Sequence, residues 1–181
     1  MKTSEITKQG IFLALFFIAS NLIPPIMILG VPFTFQTVII LLIPFFFNLK
    51  EIIIWFTVLI LMCALGLPIM SNFSGGISVL IGPTAGFIYG WLLKMLVIKI
   101  GLTNNNGIIY SFIVMFIATV IDLACGALWL STLNNTDVLV NLQVILTGFL
   151  PFGVVKIILV QLVIKRIPSG YLDQSYNKEV A

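Results

Sequence analysis

Six long apolar runs dominate the chain, at residues 10–29, 34–47, 52–67, 83–100, 108–130 and 139–164, with polar or turn-prone breaks between them. An α-helix needs about 20 consecutive apolar residues to cross hydrocarbon. The pattern therefore predicts six transmembrane helices in a single membrane domain over residues 1–181. Pro83 suits a first helical turn, where its missing N–H breaks no bond, whereas Pro151 lies inside the last run and predicts a kink or break there.

Basic residues punctuate these runs in a way that sets orientation. With the amino terminus inside, the inner loops carry Lys2 and Lys8, Lys50, Lys94 and Lys99, then Lys165 and Arg166, while the outer loops carry only the acid Asp137. That alternation is the positive-inside pattern and supports an even count with both termini cytoplasmic. A five- or seven-span chain would strand one basic cluster outside.

Composition adds that this is no soluble domain, since 60% of the 181 residues are hydrophobic and only 8% charged. The net charge of +3 is absorbed by membrane anchoring and does not point to nucleic acid. Lys2, Lys8 and the apolar run behind them resemble the start of a signal peptide, but five more spans follow and the segment is expected to stay attached. Cys63 and Cys125 lie in apolar runs without metal-ligand spacing and read as buried thiols rather than a disulfide.

Two intramembrane charges stand out. Lys156 sits inside FLPFGVVKIILVQLVI, whereas the other eight basic residues are assigned to flanks. A lysine at that depth is costly unless it faces a partner or a polar cavity, so it marks a functional site. Asp122 lies at a similar depth in the fifth run, about 21 Å from its inner end against about 15 Å between Lys156 and Arg166, at 1.5 Å per residue. The two are expected either to pair, to share a polar ligand, or to form an ion pair that only holds the bundle together.

Two irregular stretches, IPPIMILGVPFTFQT and GLPIMSNFSGGISVLIGPTAGFIYG, both fall on the outer side. The second is apolar enough to re-enter the membrane, where irregular backbone survives only if it lines a cavity or is buried by protein. Gly75, Gly76, Gly82, Pro83 and Gly86 give it tight turns, and the two stretches together are expected to form a lid over a midplane site. Close helix packing is the competing use of these glycines.

An enzymatic constellation is missing from the sequence. There is no histidine, no paired carboxylate spacing, no G-x-x-x-x-G-K loop and too few acids for a metal site. The chain reads as a binder without cofactor or metal, and any ATP-driven step falls to another subunit.

GVPFTFQT at residues 30–37, GLPIMSNFSGGISVLIGPTAGFIYGW at 66–91, GALWL at 126–130 and FLPFGVVK at 149–156 resemble, in order, the signature stretches of the BioY family. Those proteins are the biotin-specific S components of energy-coupling factor (ECF) transporters. The resemblance implies an all-α integral membrane protein with six transmembrane helices and partly re-entrant outer loops. It implies a high-affinity vitamin-binding subunit in a prokaryotic plasma membrane, working with a transmembrane coupling protein and two ATPase subunits. It further implies that Lys156 contacts biotin, with Asn72 in the covering loop and Thr34 and Gln36 over the site. Thr84, Phe87 and Tyr89 would follow the GP turn as walls, and Trp129 would close the pocket from the fifth helix. Gly10 and Ala14, four apart, would dock the coupling protein.

One departure matters: where the family pattern reads P-G-D-x-x-K, this chain has Gly153 three residues before Lys156. Asp122 is the candidate for supplying the carboxylate from the opposite wall. A related carboxylate vitamin such as lipoate stays open as the ligand. Two other readings stay open as well: a stand-alone carrier in which Asp122 exchanges a proton, and a structural membrane protein whose charged pair fixes helix register.

Overall fold

The computed structural model describes residues 3–21, 26–28, 31–102 and 107–173. Helix α1 spans Thr3–Asn21 and is followed by an antiparallel pair of short strands, β1 (Ile26–Ile28) and β2 (Val31–Phe33). Then come α2 (Gln36–Phe46), α3 (Leu49–Ala64), the five-residue α4 (Ile77–Ile81), α5 (Ala85–Gly101), α6 (Ile108–Asn134) and α7 (Val138–Arg166). Single 3-10 turns lie at Ser71–Phe73 and Ser169–Tyr171. Among the described residues, α6 and α7 are each long and apolar enough to cross a membrane.

Local chemistry sets several of these boundaries. At the start of α3, Asn48 Oδ1 accepts from the Glu51 N–H at 3.0 Å while the Asn48 N–H donates to Glu51 Oε2 at 2.9 Å, a reciprocal cap that satisfies two otherwise orphaned donors. Asp137 caps α7 by accepting from Leu139 N–H at 2.7 Å. Asn135 ends α6 in the left-handed region, at φ 52°.

Helix placement differs from the sequence expectation at both ends of the chain. The first helix begins at Thr3 rather than residue 10, because the polar TSEITKQ stretch is helical although it is not apolar. It ends by Asn21, and residues 26–28 are strand where continuous helix to 29 was expected. Pro24, Pro25 and Gly30 lie outside the described residues. The expected break at Pro151 is absent, since α7 runs continuously through it. In hydrocarbon a full break would orphan several backbone groups, whereas a proline inside a packed helix forfeits one bond.

Helices α5, α6 and α7 form the most closely packed wall. Close approach of α5 and α6 depends on glycine: a Cβ at Gly86 would meet Cys125 O at 2.7 Å, and one at Gly90 would meet Asp122 Oδ1 at 2.6 Å. Gly86 is therefore a packing residue within α5, and the expectation that it belongs to a lid is corrected. One apolar core joins α1, α2, α3 and α5 around Phe16, Trp55 and Met95, and another joins α2, α5, α6 and α7 around Leu41, Met115 and Ile157.

Charged groups gather at one end of the bundle. Lys8 pairs with Glu51 at 3.1 Å and donates to Phe46 O at 2.9 Å. Lys99 pairs with Asp173 at 2.6 Å and donates to Pro44 O at 3.2 Å, while the Asp173 N–H reaches Phe45 O at 2.8 Å. Lys99 is thus buried rather than lying in an inner loop.

Candidate ligand-binding site

A cavity opens between the helical wall and the end of the bundle opposite this charged cluster. From the wall it receives Phe87, Ile88, Trp91 and Lys94 of α5, Thr119, Asp122 and Leu123 of α6, and Phe149, Gly153 and Lys156 of α7. Covering it are Thr34, Gln36 and Thr37 at the start of α2, then Met70, Ser71 and Ser74 from the turn after α3, Val79 of α4, and Thr84.

Both irregular stretches therefore contribute to one chamber, and they touch each other. Thr34 Oγ1 donates to Gln36 Oε1 at 2.8 Å, and Gln36 Nε2 lies 3.9 Å from Met70 Sδ. The second stretch is tied down all round. The Phe73 N–H donates to Asn21 Oδ1 at 2.6 Å, the Gly76 N–H to Cys63 O at 2.7 Å, and Met70 and Ser74 form a backbone bridge. Gly76, at φ 97°, adopts a backbone conformation that side-chain-bearing residues avoid, which lets α4 begin there.

Lys156 is buried, as expected of a lysine in that run, and its ammonium reaches toward the entrance of α2. Nζ donates to Thr34 O at 2.7 Å and to Thr37 Oγ1 at 2.6 Å, joining α7 to the entrance of α2. Asp122 is 3% exposed and pairs with Lys94, whose Nζ donates to Oδ2 at 2.8 Å. Among the described residues, Asp122 Oδ1 has no hydrogen-bond partner.

Sequence reasoning placed Lys94 in an inner loop, and the structure corrects this: Lys94 lies within α5, is 2% exposed and lines the chamber. The signal was present in WLLKMLVI, where the lysine has apolar neighbours on both sides just as Lys156 does. Counting it as a loop charge hid the carboxylate's actual partner.

Of the other expected site residues, Thr34, Gln36, Thr84 and Phe87 line the cavity. Asn72, Tyr89 and Trp129 are not among the lining residues. Asn72 is exposed, in a left-handed turn at φ 58°. Tyr89 and Trp129 instead hold the cover. The Tyr89 hydroxyl donates to Leu80 O at 2.9 Å and Trp129 Nε1 donates to Gly82 O at 2.9 Å, with the two rings 6.1 Å apart. Gly75, Gly76, Gly82 and Pro83 all belong to the segment so held. Gly10 and Ala14 are exposed on α1, remote from the chamber. Both cysteines are free, Cys63 buried and Cys125 half-buried.

Comparison with known proteins gives a single answer. A family model described as the BioY family matches residues 1–172. The Biotin transporter BioY2 of Lactococcus lactis is 31% identical over 87% of this chain and 84% of its own length. The Biotin transporter BioY of Thermotoga maritima is 37% identical, the match spanning 52% of this chain and 54% of that protein. A crystal structure of the S-component for biotin from an ECF-type ABC transporter superposes with a TM-score of 0.81 at 23% identity, covering 92% of this chain and 93% of its own, which shows the fold. The chain is a membrane protein with the ECF S-component fold, and it belongs to the BioY family.

Proposed function

We propose that this chain is the high-affinity substrate-binding subunit of an ATP-driven ECF importer and that its ligand is biotin. The observation that carries the reading is a covered chamber, in a chain of this family, whose charged lining residues are Lys94, Lys156 and Asp122 among the described residues. Two ammonium groups and one carboxylate sum to +1, which a monocarboxylate such as biotin neutralises on entry. Buried charges are retained where they are paired, and here the ligand supplies the missing partner. Aromatic lining from Phe87, Trp91 and Phe149 suits a compact ring system, and Thr34, Gln36, Thr84 and Thr119 supply donors and acceptors to its polar edge.

On this reading the site residues are Lys94, Lys156, Asp122, Thr34, Gln36, Thr84 and Phe87. The segment from Gly75 to Pro83 is the lid, and it moves to admit ligand from outside. Both termini are cytoplasmic, with Lys8, Lys50, Lys165 and Arg166 at the inner surface. The subunit performs no chemistry. A coupling protein meets α1 at Gly10 and Ala14, and two separate ATPase subunits drive uptake.

Isothermal titration of purified protein with biotin, lipoate and thiamine tests the ligand. Tight binding of biotin alone is expected. Preference for lipoate would move the ligand to another carboxylate vitamin, and binding of none would return the charged groups to a structural role. Uptake that persists without any ATPase and collapses with the proton gradient would make the chain a carrier instead.

A further inference from the structure

We propose that Lys94, and not Lys156, is the cation that receives the ligand's carboxylate, with Asp122 as the residue that positions it. The inference rests on the anionic-ligand reading above and assigns roles within that chamber. The two lysines are not equivalent. Lys156 directs its ammonium to the entrance of α2, giving short bonds to Thr34 O and Thr37 Oγ1. Its charge is thereby spread onto acceptors that hold the entrance of α2 against α7.

Lys94 is bound differently. Its Nζ donates to Asp122 Oδ2 at 2.8 Å and, among the described residues, to no other atom. An ammonium carries three N–H donors, so two remain for a ligand. The side chain is 2% exposed and lines the chamber, so water does not compete freely for those donors.

Asp122 fixes where the ammonium points. Its carboxylate is wedged beside Gly90, where a Cβ would come within 2.6 Å of Oδ1, so the side chain has little room to turn. A lysine on a four-carbon stem is otherwise flexible, and such a brace reduces the ordering entropy lost on binding. Lys156 then fastens the entrance of α2 to α7, while Lys94 reads the charge of the guest.

The test compares biotin with its uncharged methyl ester, titrated into the wild type, Lys94→Met, Lys156→Met and the double variant Lys94→Met/Asp122→Asn, each checked for monodispersity in detergent. The double variant removes both charges together, so it stays informative if the single substitution strands the buried carboxylate and prevents folding. Wild type is expected to prefer biotin over the ester at least tenfold. That preference should vanish in the Lys94 variants and persist in Lys156→Met, although affinity for both ligands falls there. Preference retained in the double variant, or lost only in Lys156→Met, overturns the assignment. Failure of wild type to bind biotin would overturn the functional reading itself, a result distinct from either.

Discussion

Lys94 Nζ and Asp122 Oδ2 lie 2.8 Å apart across the α5–α6 contact, with side chains 3% and 4% exposed. Breaking such a pair from one side leaves an uncompensated charge, whereas removing both partners does not. Lys94→Met alone is therefore expected to destabilise the protein by about 3–5 kcal/mol. Lys94→Met/Asp122→Asn should lose much less. Thermal unfolding in detergent, followed by tryptophan fluorescence, gives the coupling from the double-mutant cycle, and simple additivity would contradict the pairing.

Lys156→Met should fold and bind biotin at least tenfold more weakly, equivalent to about 1.4 kcal/mol. Thr37→Val, which removes one acceptor of the same ammonium, should weaken binding in the same direction by a smaller factor. Calorimetric titration reads both, and undiminished affinity in Lys156→Met would sever the link between this lysine and the ligand.

Gly90→Ala places a methyl group 2.6 Å from Asp122 Oδ1 and 3.2 Å from Asp122 Cα. Overpacking of this kind typically costs about 1–3 kcal/mol, and here it also displaces the carboxylate that braces Lys94. Both a lower unfolding temperature and weaker biotin binding are expected. Gly10→Ala is the control: a Cβ there meets nothing within 4 Å, and the change should be neutral or slightly stabilising.

Trp129→Phe and Tyr89→Phe each remove one donor to the covering segment, at Gly82 O and Leu80 O. Each should cost about 1 kcal/mol of stability. Ligand dissociation should quicken more than association, because the bonds being lost hold the closed cover. Stopped-flow release of a fluorescent biotin derivative separates the two rates.

Gly10→Leu should leave biotin binding by the isolated subunit unchanged while reducing its co-purification with the coupling protein. Equal recovery of the complex would move the docking surface away from Gly10 and Ala14.

Much of this architecture was legible because membrane helices announce themselves by unbroken apolarity, which locates α2, α3, α6 and α7 to within a few residues. The same signal misleads at polar helix ends, as at Thr3–Gln9, and cannot see that Pro151 is held inside a packed helix. Lys156 was conspicuous because it stood alone in its run. Lys94 was not, because Lys99 follows five residues later and the two read together as a surface cluster. Asp122 was found by depth, but depth along a helix does not give the side it faces, so its partner on α5 was missed. Tyr89 was expected as a wall of the pocket and Trp129 as its closure from the fifth helix, whereas the hydrogen bonds show both gripping the backbone of the cover rather than lining the chamber.

The chamber draws its ionised groups from residues 94–156 and most of its covering surface from residues 34–84. On the proposed function, selectivity for charge and speed of entry map to separate halves of the polypeptide. Chimeras that exchange the first half between relatives should inherit a new exchange rate while keeping the recipient's taste for anions, which makes the two properties independently tunable by recombination.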